Sequence, residues 1–511
     1  MQPAALAKWF DEADMNDTAT VGGKGASLGE MFQKLTSIGV KVPNGFTLTT
    51  EAFRRFISAA IPEATWKNVG APEDVEALRS AAIKATTLKQ ALEICLRDAD
   101  PSDHLNLNSR AALARSLVRE TPVPESIKSA IAAEYGKLCE MYAPGVDVAV
   151  RSSATTEDSA EASFAGQYES YLNVSGEQDI IEKWRRCVAS MFTERAIGYH
   201  LEHKMHPLDS AIAVVVMKMA RSDKACSGVM FTIDPDSGHE GVIHIGSAYG
   251  LGELVVQGVV SPDTFTVWKE GLRRDKFPIV HRTLGSKDQM MVYHEEAANE
   301  VQSIAVPFED RRRWSLTREE CVELAHMALK IEDYFQRPMD IEWAKDGTND
   351  ELYIVQARPE TIHSKAHNSK MIVYKIDEIL AQQMKDEGRV MATGQAVGKR
   401  IGTGKVRLYR TYGEVLEGKR ELRKMLDSGM SPEEISPELS VFDDGDVLVT
   451  EMTTPDWEPL MKQASLIITR KGGRTSHAAI IAREFGIPAI VGCSDAMDLP
   501  NFSQVTGSCA E

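Results

Sequence analysis

The chain has 511 residues, of which 43% are hydrophobic, and this length predicts about three domains or subdomains with buried cores. The formal net charge of −17 argues against a nucleic-acid backbone or an anionic membrane as the main partner, because such a protein repels polyanions. Seven cysteines without a CxxC pair predict reduced thiols. Since neither a signal peptide nor a membrane-spanning apolar run is visible, we expect a cytoplasmic protein.

Strands and helices mix along the chain, which predicts α/β and α+β domains. Residues 1 to about 120 are expected to be mostly helical, and strand-like segments recur from "VDVAVRSS" onward. The polar stretch "IHSKAHNSK" predicts a linker. A second compact unit, rich in glycine turns, is expected after it. The charged segment 416–442 predicts a helical insertion on the surface of that unit.

Two weak signals for phosphate binding lie in the first part of the chain. "VGGKGASLGEM" places Lys24 among glycines before a helix, without the spacing of a Walker loop. A flexible turn with a solvated lysine would also explain it. "VAVRSSATTEDSAEASFAGQYES" places Arg151 at the end of a strand, before a hydroxyl-rich loop that could cover a phosphate. The alternative for Arg151 is an ordinary solvated arginine.

Four polar residues alternate with apolar ones in "PMDIEWAKDGTNDELYIVQARPET". On a strand, Asp340 and Glu342 share one face, and Gln356 and Arg358 share a face in the same way. If "AKDGTNDE" is a hairpin connection, the two strands pair and offer oxygen ligands for a hard cation beside an arginine for phosphate. The alternative is the polar side of an ordinary hairpin.

The stretch "GGRTSHAAIIAREFGIPAIVG" predicts a turn, a helix and a return to strand after the buried strand "ASLIIT". Gly472 and Gly473 permit a tight turn, and Ser476 or Thr475 can cap a helix that ends at Gly486. His477 then lies in the first helical turn. The positive end of the helix dipole favours a neutral ring there and would stabilise a phosphoryl group on it. The alternative is a histidine that only decorates a capped helix.

Several stretches in this order resemble the phosphoenolpyruvate synthase (pyruvate, water dikinase) family, among them "VGGKGASLGEM", "SGVMFTIDPDSG", "YGLGELVVQGVVSPDTF", "MDIEWA", "LYIVQARPET" and "KGGRTSHAAIIAREFGIPAIVGC". The resemblance covers about residues 15–363 and 387–511. It implies an ATP-grasp-like nucleotide-binding domain followed by a swivelling β/α phosphohistidine domain. The expected bounds are subdomains at 1–200 and 201–364, a linker at 365–386 and the phosphohistidine domain at 387–511.

The resemblance also implies a role for each residue of the site. It assigns His477 as the nucleophile that attacks the β-phosphate of ATP, with release of AMP and hydrolysis of the terminal phosphate, before the phosphoryl group passes to pyruvate. It assigns Mg²⁺ to Glu342 and Gln356. It assigns ATP contacts to Lys24, Arg151, Glu253 and Arg358. The implied supporting residues are Asp340, Gly472, Gly473, Arg474 and Ser476, and Thr475 would be a regulatory phosphothreonine.

The family continues into a pyruvate-binding barrel, whereas this sequence stops at Glu511. We therefore expect either a fragment or a two-domain protein whose acceptor site lies on another chain, with only the first half-reaction performed here. Alternatives are a subunit that phosphorylates another small molecule, and a regulatory phosphohistidine carrier. The intact set of site residues argues against the carrier. The sequence leaves a homodimer open.

Overall fold

The computed structural model describes residues 5–101, 103–155, 168–294, 296–297, 300–360, 378–398, 400–428, 442–474 and 476–509. The chain divides into two compact units. Unit 1 consists of Met1–Ala225, Val292–Ser303 and Met327–Pro359, and unit 2 consists of Cys226–Met291, Ile304–His326 and Glu360–Glu511. Helices and strands mix in both, so the expectation of a multidomain α/β protein is confirmed.

Unit 1 is built around a five-stranded antiparallel sheet. Its strands lie in the order β1 (Ala7–Trp9), β2 (Gly45–Leu48), β5 (Ile212–Lys218), β3 (Val148–Ala154) and β4 (Ser170–Val174). The middle strand β5, "IAVVVMK", is rich in β-branched residues, which pack well on a pleated surface. Six of its seven residues are buried, which shows that both faces of the sheet are covered at its centre.

The helices of unit 1 complete the core of this sheet. They are α1 (Thr18–Leu35), α2 (Thr50–Ile57), α3 (Glu76–Ala82), α4 (Leu88–Leu96), α5 (His104–Glu120), α6 (Glu125–Met141), α7 (Glu177–Ser190) and α8 (Glu194–Glu202). One hydrophobic cluster joins Phe46 and Val216 of the sheet to Phe56, Leu113 and Trp184 of the helices. The prediction of a mostly helical stretch up to about residue 120 is confirmed.

A two-stranded hairpin completes the described part of unit 1. Strand β12 (Met339–Asp346) pairs with strand β13 (Glu351–Pro359) in antiparallel register. Residues 347–350, "GTND", connect the two strands, as the sequence predicts. The bulky side chains of β12, Ile341 and Trp343, are buried, which fixes the register by holding one face inward.

Unit 2 begins with four antiparallel strands in chain order. These are β6 (Cys226–Phe231), β7 (Val242–Tyr249), β8 (Asp263–Trp268) and β9 (Ile279–Thr283), with the short helices α9 (Glu253–Val256) and α10 (Lys269–Arg273) in their connections. The loop between β6 and β7 is shaped by Asp234, whose side chain accepts hydrogen bonds from the backbone of Asp236 and Ser237 at 2.9 and 3.0 Å. This loop therefore has a defined conformation.

The C-terminal part of unit 2 has its own six-stranded sheet. The strand order is β14 (Gln395–Val397), β18 (Ala489–Val491), β17 (Leu466–Thr469), β16 (Val447–Thr450), β15 (Ile401–Leu408) and β19 (Gln504–Ser508). Strands β15 to β18 pair in parallel, and β14 and β19 pair antiparallel at the edges. The helices here are α13 (Glu378–Asp386), α14 (Tyr412–Asp427), α15 (Glu458–Gln463) and α16 (His477–Phe485).

The parallel strands of this sheet are buried on both faces. Leu448 and Ile467 belong to one hydrophobic cluster, whereas Val449 and Leu466 belong to another. This alternation explains why "VLVT" and "LIIT" are continuous apolar runs. The predicted helix in the 416–442 insertion is observed as far as Asp427, and the rest of that insertion lies outside the described residues.

The division between the two units falls inside three elements, which are strand β10 (Gln289–Tyr293), strand β11 (Val301–Ala305) and helix α12 (Arg318–Phe335). The two strands form a two-stranded sheet, and α12 follows the short helix α11 (Phe308–Arg311). Within the described ranges, no helix combines the length and the apolar character needed to cross a membrane.

Candidate active site

The hairpin of unit 1 brings the four predicted polar residues together as two cross-strand pairs. Glu342 lies directly opposite Gln356, and Asp340 lies directly opposite Arg358. The Arg358 guanidinium donates two hydrogen bonds to Asp340 Oδ2, at 2.9 Å from Nε and 2.7 Å from Nη2. The predicted juxtaposition of carboxylate, amide and arginine on one hairpin is therefore confirmed.

Arg151 joins the five-stranded sheet to this hairpin. Its Nη2 donates to Glu342 Oε2 at 2.6 Å and to Gln356 Oε1 at 2.8 Å, while Nη1 donates to the backbone oxygen of Val355 at 2.7 Å. The prediction that Arg151 ends its strand is wrong, because β3 continues to Ala154.

Lys24 lies on helix α1 beside the same strand. Its ammonium donates to the backbone oxygen of Ser152 at 3.2 Å, and the side chain is buried. A flexible turn with a solvated lysine is therefore the wrong alternative. The helix bends at Gly22, where φ is +72°, and a Cβ atom there would lie 2.0 Å from the backbone oxygen of Ser153. Only glycine allows this close approach of helix and strand.

The cations around Glu342 determine its charge state. Burial raises the pKa of this carboxyl group, but the charge and hydrogen bond of Arg151, with the charges of Lys24 and Arg358, outweigh burial and lower the pKa below its usual value. Glu342 is therefore ionised at neutral pH. Unit 1 thus holds three cations and two carboxylates at one end of a hairpin.

His477 lies at the start of a capped helix in unit 2. It is the first residue of α16, and the Ser476 side chain caps this helix by accepting from the backbone N–H of Ala479 at 3.4 Å. Gly472 has φ of +101°, a left-handed conformation that suits glycine, and Gly486 ends the helix as predicted. The predicted order of strand, glycine turn, capped helix and return strand is confirmed.

His477 is buried, although it lies at the start of the helix. Only 9% of the residue is exposed, and the Thr453 hydroxyl lies 3.0 Å from Nδ1. Gly258 also lies against Ser476, because a Cβ atom on Gly258 would be 2.2 Å from the Cβ of Ser476. The helix start is therefore covered by neighbouring segments of unit 2.

Arg474, predicted as a supporting residue, forms an ion pair with Asp236 in the β6–β7 loop at 3.1 Å. Asp236 also accepts hydrogen bonds from Arg483 of α16, whose side chain is only 5% exposed. Gly473 lies near Pro262, since a Cβ atom added to the glycine would be 3.4 Å from that ring. The loop before His477 is thus attached to two earlier segments of unit 2.

Of the two remaining predicted residues, only Glu253 belongs to the described part of the chain. Glu253 is the first residue of α9 in unit 2, where burial raises the pKa of its carboxyl group and a hydrogen bond from Gln257 partly offsets this. Its contact with ATP stays a prediction. Thr475 and the loop at 156–167 lie outside the described residues.

Sequence reasoning missed three contacts in these clusters. Thr453 and Asp236 lie in "TEMTTPDWEP" and "FTIDPDSG", and no local spacing in either stretch indicates a partner so far along the chain. The backbone oxygen of Ser152 next to Lys24 was missed for the same reason. A signal existed for two of them, because Asp236 falls in a stretch noted for the family resemblance and Ser152 in the stretch noted for Arg151.

Comparison with protein-family models gives a match over residues 18–378 to the model described as pyruvate phosphate dikinase, AMP/ATP-binding domain. The chain belongs to this family. A second match, over residues 442–508, is to the PEP-utilising enzyme, mobile domain, and it includes His477. The family resemblance seen in the sequence is therefore confirmed for both parts of the chain.

Individual relatives agree with these matches. Phosphoenolpyruvate synthase from Synechocystis sp. is 43% identical over 99% of this chain and 56% of its own length. Phosphoenolpyruvate synthase from Escherichia coli is 41% identical over 99% of this chain and 57% of its own. A probable phosphoenolpyruvate synthase from Pyrococcus horikoshii is 36% identical over 96% and 55%. The chain spans about half the length of the relatives that it matches.

Proposed function

We propose that the chain carries out the ATP-dependent part of a phosphoenolpyruvate synthase reaction. ATP would phosphorylate His477 through its β-phosphate, AMP would leave, and the terminal phosphate would be hydrolysed. The nucleotide-binding part would be ATP-grasp-like, with subdomains at 1–200 and 201–364, and residues 387–511 would be a swivelling phosphohistidine domain. The family matches to a nucleotide-binding domain and a mobile domain support the order of these two parts.

The single observation that most supports a nucleotide site is the simultaneous bonding of Arg151 to Glu342 and Gln356. Arg151, Lys24 and Arg358 supply the positive charge that the phosphates of ATP need. Phosphoryl transfer requires mainly positioning and charge stabilisation, and these three side chains are already oriented by hydrogen bonds to the protein.

Glu342 and Gln356 would hold Mg²⁺, and the chemistry of the two side chains fits this ion. Their oxygens approach the same Nη2 atom of Arg151 at 2.6 and 2.8 Å, so two hard oxygen ligands already converge on one cationic group. Magnesium typically takes one or two protein carboxylates and completes its shell with phosphate and water. When bound, it would neutralise charge on the phosphate oxygens.

His477 would be the phosphate carrier. As the first residue of α16 it lies beside the N–H groups of the first helical turn, which stabilise an attached phosphoryl group. Gly472, in the turn before the helix, has no side chain that could occupy the space beside this first turn. We propose pyruvate as the final acceptor because the relatives are named phosphoenolpyruvate synthases. Those relatives contain this stretch within one longer chain, so the comparisons give no support for an acceptor on a separate chain.

The test is phosphorylation of the purified chain with Mg²⁺ and ATP labelled at the β-phosphate. We expect a label on His477 that is stable to base and labile to acid, with AMP as the nucleotide product. His477→Asn should remove the label, whereas the control His281→Asn, at an exposed position on β9, should keep it. Release of ADP, or labelling of His477→Asn, would contradict the proposal. Transfer of the label to pyruvate, measured as labelled phosphoenolpyruvate, tests the acceptor.

A further inference from the structure

Helix α1 is interrupted close to Lys24. Gly22 has φ of +72° and ψ of 172°, values outside the helical region, so α1 consists of two helical segments joined across a kink. In an unbroken helix the backbone N–H of residue 25 donates to the backbone oxygen of residue 21. A kink between these two residues disturbs that bond, and both buried backbone groups then need other partners.

The side chain of Ser153 bridges the kink. Its hydroxyl accepts a hydrogen bond from the backbone N–H of Gly25 at 3.0 Å and donates one to the backbone oxygen of Val21 at 2.8 Å. One hydroxyl group of strand β3 therefore binds both groups that an unbroken helix pairs with each other. All three residues are buried, so water cannot easily replace the hydroxyl.

The turn that Ser153 bridges carries Lys24. Lys24 lies between Gly22 and Gly25, and its ammonium group donates to the backbone oxygen of Ser152 at 3.2 Å. A lysine ammonium is carried on a flexible stem, so its location depends on where the backbone is held and on its hydrogen-bond partners. Two neighbouring residues of β3 thus hold this turn, one through its ammonium group and the other through its backbone.

We propose that Ser153 is a positioning residue for the nucleotide site, whose hydroxyl keeps α1 kinked and thereby directs the Lys24 ammonium toward the phosphates of ATP. This inference rests on the function proposed above, in which Lys24 contacts ATP. The charge of Lys24 helps to lower the pKa of Glu342, so the ammonium lies close enough to the hairpin to act on its charges. Without the hydroxyl, the backbone groups of Val21 and Gly25 lose their shared partner, and the turn that carries Lys24 rearranges.

The experiment compares Ser153→Ala, which removes the hydroxyl, with the matched control Thr47→Val. Thr47 of β2 is fully buried against the same turn, because its hydroxyl oxygen would be 3.0 Å from a Cβ atom on Gly25. Among the residues that the structure describes, the Thr47 hydroxyl has no hydrogen-bond partner, so its loss should leave the kink intact. Urea unfolding of the full chain shows which variants are folded. If Ser153→Ala does not fold, Ser153→Cys replaces it, because a thiol is a weaker donor and acceptor than a hydroxyl.

The first measurement requires no nucleotide. It is the rate at which acetic anhydride, at trace modification, acetylates Lys24, determined by mass spectrometry relative to the exposed Lys84 of the same chain. We expect Lys24 to react about tenfold faster in Ser153→Ala, which corresponds to the loss of about one buried hydrogen bond, and at the unaltered rate in Thr47→Val. An unchanged rate in Ser153→Ala would overturn the proposal.

The second measurement is the affinity for ATP and Mg²⁺ in the His477→Asn background, which takes no phosphoryl group. Ser153→Ala should weaken binding by about tenfold, because it displaces a charged hydrogen-bond donor. In a chain that also carries Lys24→Met, Ser153→Ala should change the affinity by less than about twofold, since the two residues act through one contact. Equal weakening with and without Lys24→Met would show a merely structural role and overturn the proposal. If acetylation of Lys24 responds as expected but the chain binds no ATP, the positioning of Lys24 stands and the proposed function fails.

Discussion

Glu342→Gln is the most informative substitution in unit 1, because it removes a charge while keeping the shape and an acceptor oxygen. Glu342 accepts from Arg151 at 2.6 Å, and both side chains are largely buried, at 25% and 11% exposure. With glutamine, three cations would share the site with Asp340 as the remaining carboxylate. A matched control is Glu351→Gln on the same hairpin, where the glutamate pairs with Lys41 at 3.2 Å and is 43% exposed.

The expected loss of stability follows from the type of hydrogen bond. A charge-assisted hydrogen bond is roughly twice as strong as a neutral one, so the substitution should lower the free energy of unfolding of unit 1 by about 1–2 kcal/mol. The exposed pair at Glu351 contributes at most about 1 kcal/mol, so its loss should be smaller. The expected effect on labelling of His477 is larger, at least about a hundredfold, because a metal ion contributes several kcal/mol of charge stabilisation.

The stability difference should also depend on pH in a defined direction. The pKa of Glu342 is lower in the folded chain than the value of about 4.3 expected in the unfolded chain. Its contribution is therefore present above the unfolded pKa and is lost as the pH falls through the folded pKa. Urea unfolding, followed by the tryptophan fluorescence of the chain, measures the difference in the free energy of unfolding. A variant that is labelled at the normal rate, or a stability difference that persists at low pH, would refute this account of Glu342.

Two further predictions concern the packing around each cluster. Gly22→Ala should destabilise unit 1 by about 2–4 kcal/mol and slow labelling, because a Cβ atom would clash with the backbone oxygen of Ser153 and φ is positive. The control Gly136→Ala on α6, where the Cβ atom meets open space, should be neutral or stabilising. Equal effects of the two substitutions in thermal unfolding would argue against the packing role of Gly22. Asp236→Asn should destabilise unit 2 by about 1–3 kcal/mol and speed hydrogen exchange in α16, since the buried Arg483 loses its carboxylate partner. The control Glu451→Gln, which removes the exposed ion pair with Arg470, should have little effect. Unchanged hydrogen exchange in Asp236→Asn would contradict the prediction.

Local patterns predicted those parts of the fold in which the chain returns to itself within a few residues. The hairpin of β12 and β13 could be recognised because apolar and polar residues alternate with a period of two on both sides of "KDGTNDE". The capped helix at His477 could be recognised because glycine turns, a serine cap and a helix-ending glycine occur at fixed offsets. Both signals lie within about 25 residues, so no distant partner was needed to interpret them.

Contacts between distant segments could not be predicted in this way. Arg151 forms hydrogen bonds to Glu342 and Gln356, which lie 191 and 205 positions further along the chain. Nothing in "VAVRSS" distinguishes an arginine in the interior of a strand from one at its end. The glycines around Lys24 left a flexible turn with a solvated lysine open as an alternative, because glycines weaken helices. That alternative is wrong, since Gly22 is required by the close approach of Ser153 to helix α1. The contact of His477 with Thr453 joins two different connections of the sheet, so neither stretch alone predicts it.

The charge balance of the hairpin site bears on the net charge of the chain. A protein with a net charge of −17 repels ATP as a whole, so attraction must be local. The site has one net positive charge, because three cations (Lys24, Arg151 and Arg358) lie with two carboxylates (Asp340 and Glu342). The low exposure of these side chains reduces screening of their charges by water. A buried ion pair adds little to stability compared with apolar packing. Two such pairs at one hairpin, Arg151–Glu342 and Arg358–Asp340, therefore fit the proposed binding of an anion there better than a role in stabilising the fold.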